Sequence, residues 1–252
     1  MVSSASYFPV LLWLVYLCGT EEILSEAFKA IDGIIFDPTL ECLTLNTTHY
    51  FKDVYFMELL KNTIAYRYKM GMEMAEEIAE LFISVSYPKH SFMIQCNDMS
   101  NRLFYISRGL AREYYYIQEE DSLEESNTTQ FLREGDFYFS MDSLFENKPA
   151  QCYTQIIEPV KAYIIERETI ERELERSPIY FRQFINFVLR DCLIRQNQRI
   201  SIFMKSRRSI DRYENFVKEH PELSSRLSDK LIASYLGINS STLSRIRSKS
   251  KF

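Results

Sequence analysis

Asn239, Ser240, Ser241, Thr242, Ser244, Arg245, Arg247 and Lys249 crowd one short stretch near the end of the chain. Short hydroxyls and amides bond to several base edges or to a phosphate, while guanidinium and ammonium groups pair with a guanine edge or with phosphate oxygens. The chemistry open to this group is recognition of a polyanion that also carries bases. It is not bond-making chemistry, because no nucleophile stands beside a base.

The neighbouring residues are of the kinds needed to hold such a group in place. Ser228 suits the cap of a short helix whose apolar residues Leu231, Ile232, Tyr235 and Leu236 fall on one face. Gly237 permits the backbone conformation needed just past a helix end. Asn239 suits the cap of a second helix in which Leu243 and Ile246 point inward and Ser240, Ser241, Ser244, Arg245 and Arg247 point outward. Two short helices joined through glycine form the helix-turn-helix arrangement that enters a DNA major groove. Arg245, one turn into the second helix, is the expected base reader, with Arg247 and Lys249 reaching phosphate. Charge agrees: residues 199–252 hold 12 Lys+Arg against 5 Asp+Glu, a net +7 in a chain whose total is −5. Residues 1–198 therefore carry −12 and are kept off DNA while the basic end is steered towards it.

Other chemistries find no support. The five cysteines, at 18, 42, 96, 152 and 192, are odd in number and form no Cys-x-x-Cys pair, which argues against a disulfide framework or metal cluster and for a reducing cytoplasm. The three histidines, at 49, 90 and 220, have no ligand spacing, so neither metal nor cofactor is expected. The apolar run Tyr7–Cys18 is 12 residues long, short of the roughly 20 a spanning helix needs. No Lys or Arg precedes it, so it also lacks the start of a secretory signal. Membrane association is not expected.

Four regions follow from the pattern. Residues 1–56 are apolar and mixed, contain Trp13, and carry no identifiable chemistry. They are either an added element that packs its Tyr7–Cys18 face on the next region, or a stretch preceding a later translation start. Residues 57–176 open with a helix over Met57–Phe82 and then switch to a period of two. Strands are expected at Ser91–Gln95, Arg102–Ile106, Leu110–Ile117, Thr128–Leu132, Phe137–Phe139, Cys152–Ile157 and Val160–Ile165. Turns separate them at Ser107-Arg108-Gly109, Glu134-Gly135-Asp136, Glu146–Pro149 and Glu158-Pro159, and the acidic Glu119–Glu125 is a solvated loop. Residues 177–204 form a long helix begun at Ser177-Pro178, whose stripe Phe181, Ile185, Leu189, Cys192 is spaced to pair with a second copy. Residues 205–252 contain a helix ending at His220-Pro221 and the helix-turn-helix.

This order resembles the CRP/FNR family of bacterial transcription regulators. The resemblance is carried by Leu103–Arg112, by Phe131-Leu132-Arg133-Glu134-Gly135-Asp136-Phe137, and by Ile232–Gly237 with Thr242–Arg245. Arg212-Tyr213 with Pro221-Glu222-Leu223 is similar to Bacteroidetes-like branches. It implies an α+β fold: a small antiparallel β-barrel of the cyclic-nucleotide-binding type (a double-stranded β-helix), a dimerisation helix, and a helix-turn-helix without a following wing. It implies a homodimer, DNA and RNA polymerase as partners, and a small-molecule effector or none. Family members that bind cyclic nucleotides open the site with Gly-Glu and close it with Arg-Ser/Thr, the Arg neutralising the phosphate. The corresponding positions here are Gly135-Asp136, followed by Phe137, and Ala150-Gln151. Lys148 is the nearest replacement cation, so cyclic AMP binding is not expected. Ser240 and Ser241 occupy the positions where guanine-reading members place Arg and Glu. The competing function is a ligand- or protein-binding signalling module with a vestigial helix-turn-helix.

Overall fold

Leu103-Phe104-Tyr105-Ile106 is apolar at every position, which suits a strand covered on both faces. In the computed structural model, which describes residues 55–117, 125–176 and 179–249, Leu103 and Tyr105 enter one core and Phe104 and Ile106 another. The Tyr7–Cys18 run, Trp13, the acidic loop up to residue 124 and Ser177-Pro178 lie outside the described residues. From Tyr55 onward the chain forms one compact unit.

The described elements are α1 (Met72–Ala79), β1 (Ile83–Tyr87), β2 (Phe92–Ile94), β3 (Arg102–Ile117), β4 (Glu125–Leu132), β5 (Phe137–Tyr138), α2 (Met141–Leu144), β6 (Tyr153–Glu166), α3 (Arg167–Arg176), α4 (Ile179–Lys205), α5 (Ser209–Glu219), α6 (Pro221–Arg226), α7 (Asp229–Leu236) and α8 (Ser240–Lys249). The strands make a six-stranded antiparallel sheet in the order β1-β6-β3-β4, with β2 on β6 and β5 on β3. This is the α+β architecture expected, but the path of described pairings stays open where a closed barrel was expected.

Two expected turns are bulges instead. Arg102–Ile106 and Leu110–Ile117 are one strand of 16 residues, and the two strands around Glu158-Pro159 are one strand of 14. The register slips between Ile106 and Ala111, opposite Glu158–Lys161. Gly109 has φ +96°, and a Cβ there would lie 2.2 Å from the Pro159 carbonyl oxygen. Glycine is needed because β6 crosses at backbone contact, and Pro159 is tolerated because the bulge asks no ladder N–H of it.

The expected single helix over Met57–Phe82 is also broken. Residues 55–62 are helical, Thr63–Arg67 form a π-turn, and Lys69 (φ 56°) and Gly71 (φ 84°) reverse the chain before α1. Thr63 Oγ1 donates to the Leu59 carbonyl at 2.9 Å and meets the Tyr105 hydroxyl at 2.8 Å. This local competition with the helix ladder accompanies the π-turn, and Arg67 at its end donates to the Gly135 carbonyl at 2.9 Å.

Candidate functional site: the C-terminal helix pair and the seam behind it

The C-terminal helix pair α7 and α8 is organised by burial. Ile232, Leu236 and Leu243 are fully enclosed with Phe216, and Ile246 and Tyr235 are nearly so. Gly237 sits in the left-handed region at φ 62°, ψ 42°, and ends α7. Ser228 occupies the cap position of α7 with extended backbone, but its side chain makes no capping bond. Asn239 does cap α8: its Oδ1 accepts from the Thr242 N–H and from the Ser241 hydroxyl, both at 2.9 Å. Ser240, Ser241, Ser244 and Arg245 are exposed together on the outer face of α8, with Thr242 half-buried beside them. Lys249 is the last residue of the helix.

Arg247 departs from expectation. Its guanidinium pairs with Asp229 at 2.5 Å, donates to the Tyr213 hydroxyl at 3.0 Å and to the Ser224 carbonyl at 3.4 Å. It ties α8 to α5, α6 and the first turn of α7, so its charge is spent inside the protein rather than held out for phosphate. The sequence alone does not distinguish it from Arg245, two residues earlier.

The long helix departs too. Phe181 and Cys192 are buried, and Ile185 and Leu189 pack on the same core, with Cys192 Sγ 3.3 Å from the Phe137 carbonyl oxygen. The expected pairing stripe therefore faces the sheet. Outward-facing residues recur at 186, 190, 193, 197, 200 and 204, the alternating four-and-three spacing of a coiled-coil seam. Leu193, Ile200 and Met204 on this stripe are 52%, 58% and 83% exposed. Apolar residues occupy both faces of α4, so periodicity alone could not say which face meets the sheet.

The residues matched to the nucleotide cassette do not converge. Gly135 (φ +85°) is a turn whose N–H donates to the Ile106 carbonyl at 2.8 Å. The Asp136 carboxylate takes Arg195 at 2.8 Å and the Arg133 N–H at 2.9 Å. Phe137 is buried among Tyr68, Tyr105 and Phe184. Lys148 is exposed and paired with Glu146 at 2.7 Å, Ala150 is fully buried, and exposed Gln151 donates to the Pro149 carbonyl at 3.1 Å. The cleft between sheet and α4 near Tyr138 and Arg195 measures about 10 Å³, the space of one water.

Inside the sheet stands a group that sequence reading missed. The Glu113 carboxylate is buried and accepts from Thr129 at 2.5 Å, Tyr138 at 2.9 Å and Gln130 at 3.1 Å. Strand alternation places it inward, but a lone Glu in a Tyr-rich strand gives no motif to notice. Burial, then the nearby Glu113 charge, pushes the Cys152 thiol up to about 12. Burial likewise pushes Cys192 up to about 11. Both are protonated at neutral pH and poor nucleophiles. Among the described residues no cluster of three or more His, Cys, Asp or Glu could hold a metal ion, and no helix is long and apolar enough to cross a membrane.

The C-terminal helices are docked on the sheet along a polar seam. Arg226 of α6 bridges Glu134 (2.9 and 3.0 Å) and Glu158 (3.1 and 2.6 Å). Burial pushes the Glu134 carboxyl up, but Arg226 and the backbone donors, Gly109 among them, outweigh this and hold it below its usual range. Ser234 of α7 accepts the Thr128 N–H at 2.9 Å and donates to the Ser126 carbonyl. Arg199 of α4 reaches the Tyr235 carbonyl at 2.8 Å and Asn127 at 2.7 Å. Leu110 and Phe131 of the sheet complete the apolar core of the C-terminal helices.

Solved structures share this fold. FixK2 from Bradyrhizobium japonicum matches with a TM-score of 0.55 at 15% identity, covering 67% of this chain and 83% of that one. CLP, the c-di-GMP-responsive global regulator of Xanthomonas campestris, matches with 0.57 at 15% identity, covering 70% and 90%. A CooA variant from Carboxydothermus hydrogenoformans matches with 0.51 at 18% identity, covering 68% and 77%. No family model and no curated protein matches the sequence. The chain has the CRP/FNR-like fold, a cyclic-nucleotide-binding-like domain followed by a long helix and C-terminal helices.

Proposed function

We propose that this chain is a non-enzymatic, sequence-specific DNA-binding regulator that acts as a homodimer and does not respond to cyclic AMP. One observation carries the reading: α7 and α8 bury their apolar faces around the left-handed Gly237, and α8 turns Ser240, Ser241, Ser244 and Arg245 outward together. A short helix bearing small polar residues and an Arg fits a major groove, where Arg pairs with a guanine edge and Ser bonds to several partners. Dimerisation uses the outward stripe Leu193, Asn197, Ile200 and Met204. Asn197 lies between apolar Leu193 and Ile200, and a polar residue at a seam position sets register at a cost in stability. The insensitivity to cyclic AMP rests on the buried Ala150, the outward Lys148 and the inward Glu113 carboxylate, none of which neutralises a phosphate.

Genome-wide capture of bound DNA tests the reading, followed by fluorescence anisotropy on the enriched sites. A two-fold symmetric motif bound with a steep inverse salt dependence is expected. The absence of any enriched motif, with DNA affinity no better for captured than for scrambled sequence, would overturn it and favour a signalling module with a vestigial helix-turn-helix.

A further inference from the structure

A polar cavity of about 110 Å³ lies where the sheet, α4, the π-turn segment and the C-terminal helices meet. That volume holds several waters or one small solute. Its wall includes Arg67, Arg133, Arg195, Asp136, Asp191 and His220. Three guanidinium groups thus face two carboxylates. Arg195 is committed to Asp136 at 2.8 Å, and Arg67 to Asp191 at 2.8 Å. Arg133 is the charge left over: its partner is Glu222 of α6, a residue outside the cavity wall. Also in the wall, His220 is only 7% exposed, and its Nδ1 finds no hydrogen-bond partner among the described residues. Burying such an atom unpaired is costly.

We propose that this cavity is a binding site for a small oxyanion, a carboxylate- or phosphate-bearing metabolite held between Arg133 and His220. Arg133 supplies charge-assisted hydrogen bonds, and His220 in the tautomer protonated at Nδ1 donates to the same anion. Occupation competes with Glu222 for Arg133. That ion pair joins the segment after β4 to α6, so the ligand changes a contact between the sheet and the DNA-reading helices. The site does not depend on DNA recognition, and of the residues matched to the nucleotide cassette only Asp136 is in its wall.

Thermal unfolding of the full chain in inorganic phosphate or succinate, against sodium chloride of matched ionic strength, tests this. At least one oxyanion should raise the midpoint above chloride, with the apparent affinity falling tenfold or more in Arg133→Gln. Since Arg133→Gln also breaks the Glu222 pair, Gln198→Leu, at a further residue of the cavity wall, serves as a second variant and should weaken the response in the same direction. No gain over chloride from either anion, or an undiminished gain in both variants, would overturn the proposal. So would a gain lost in Arg245→Ala and kept in the cavity variants, because the anion would then sit on the DNA-reading face.

Discussion

Replacing Arg226 with Gln should loosen the C-terminal helices from the sheet by about 2 kcal/mol. Arg226 makes four N–H···O contacts to two carboxylates at 2.6–3.1 Å. Its side chain is 25% exposed, and those of Glu134 and Glu158 are 40% and 35% exposed. At that exposure solvent screens each pair to about 0.5–1 kcal/mol, well short of the ~3–5 for breaking a fully buried pair. The two carboxylates left without a cation add their mutual repulsion. The Ser234 and Arg199 bonds and the Leu110–Phe131 packing remain, so the helices stay attached on average while their undocked population rises about 30-fold. Hydrogen exchange reads this directly, because the Thr128 amide donates across the seam to Ser234 and the Gly109 amide donates to Glu134. Both should lose protection together with α7, while β3·β6 ladder amides away from the seam keep theirs. The carboxyl of Glu134 is held below its usual range, so its contribution is complete at neutral pH and is lost as pH falls through its folded pKa. Unchanged protection at Thr128 and in α7 would refute the reasoning and show that apolar packing alone holds the seam.

Arg245→Ala should cost roughly 1–3 kcal/mol of discrimination between specific and scrambled DNA in anisotropy titrations. Arg247→Ala should instead lower the thermal midpoint, because it loses Asp229 and Tyr213. Ile200→Asp should give a folded monomer in sedimentation equilibrium, whereas Leu189→Asp should destabilise the fold, because Leu189 packs on the core. Burial, then the Arg133 charge, holds the His220 imidazole below its ordinary value of 6.5. Its contribution to stability is therefore full above that pH and fades as pH falls through the folded pKa. Urea midpoints between pH 7.5 and 5.5 should drop more for the wild type than for His220→Phe. Gly109→Ala should destabilise by about 2–4 kcal/mol, since both its positive φ and the Pro159 carbonyl oppose a Cβ.

The C-terminal helix pair was legible from the residues because its determinants are local. A left-handed stop at Gly237, a capping Asn239 and apolar positions three or four apart act within a few turns of backbone. The strands were legible for the same reason, since alternation is a property of adjacent residues. What only the tertiary structure decided concerns partners distant in sequence. Gly109 became a bulge and not a turn because Pro159 crosses it. Which side of α4 faces the sheet was settled by Phe137 and the other core residues, not by the spacing of Phe181, Ile185, Leu189 and Cys192. Arg245 and Arg247 have the same chemistry and differ by two positions, about 200° around a helix. That rotation leaves one facing solvent and sends the other to Asp229, an assignment made by the packing of α8 against its neighbours.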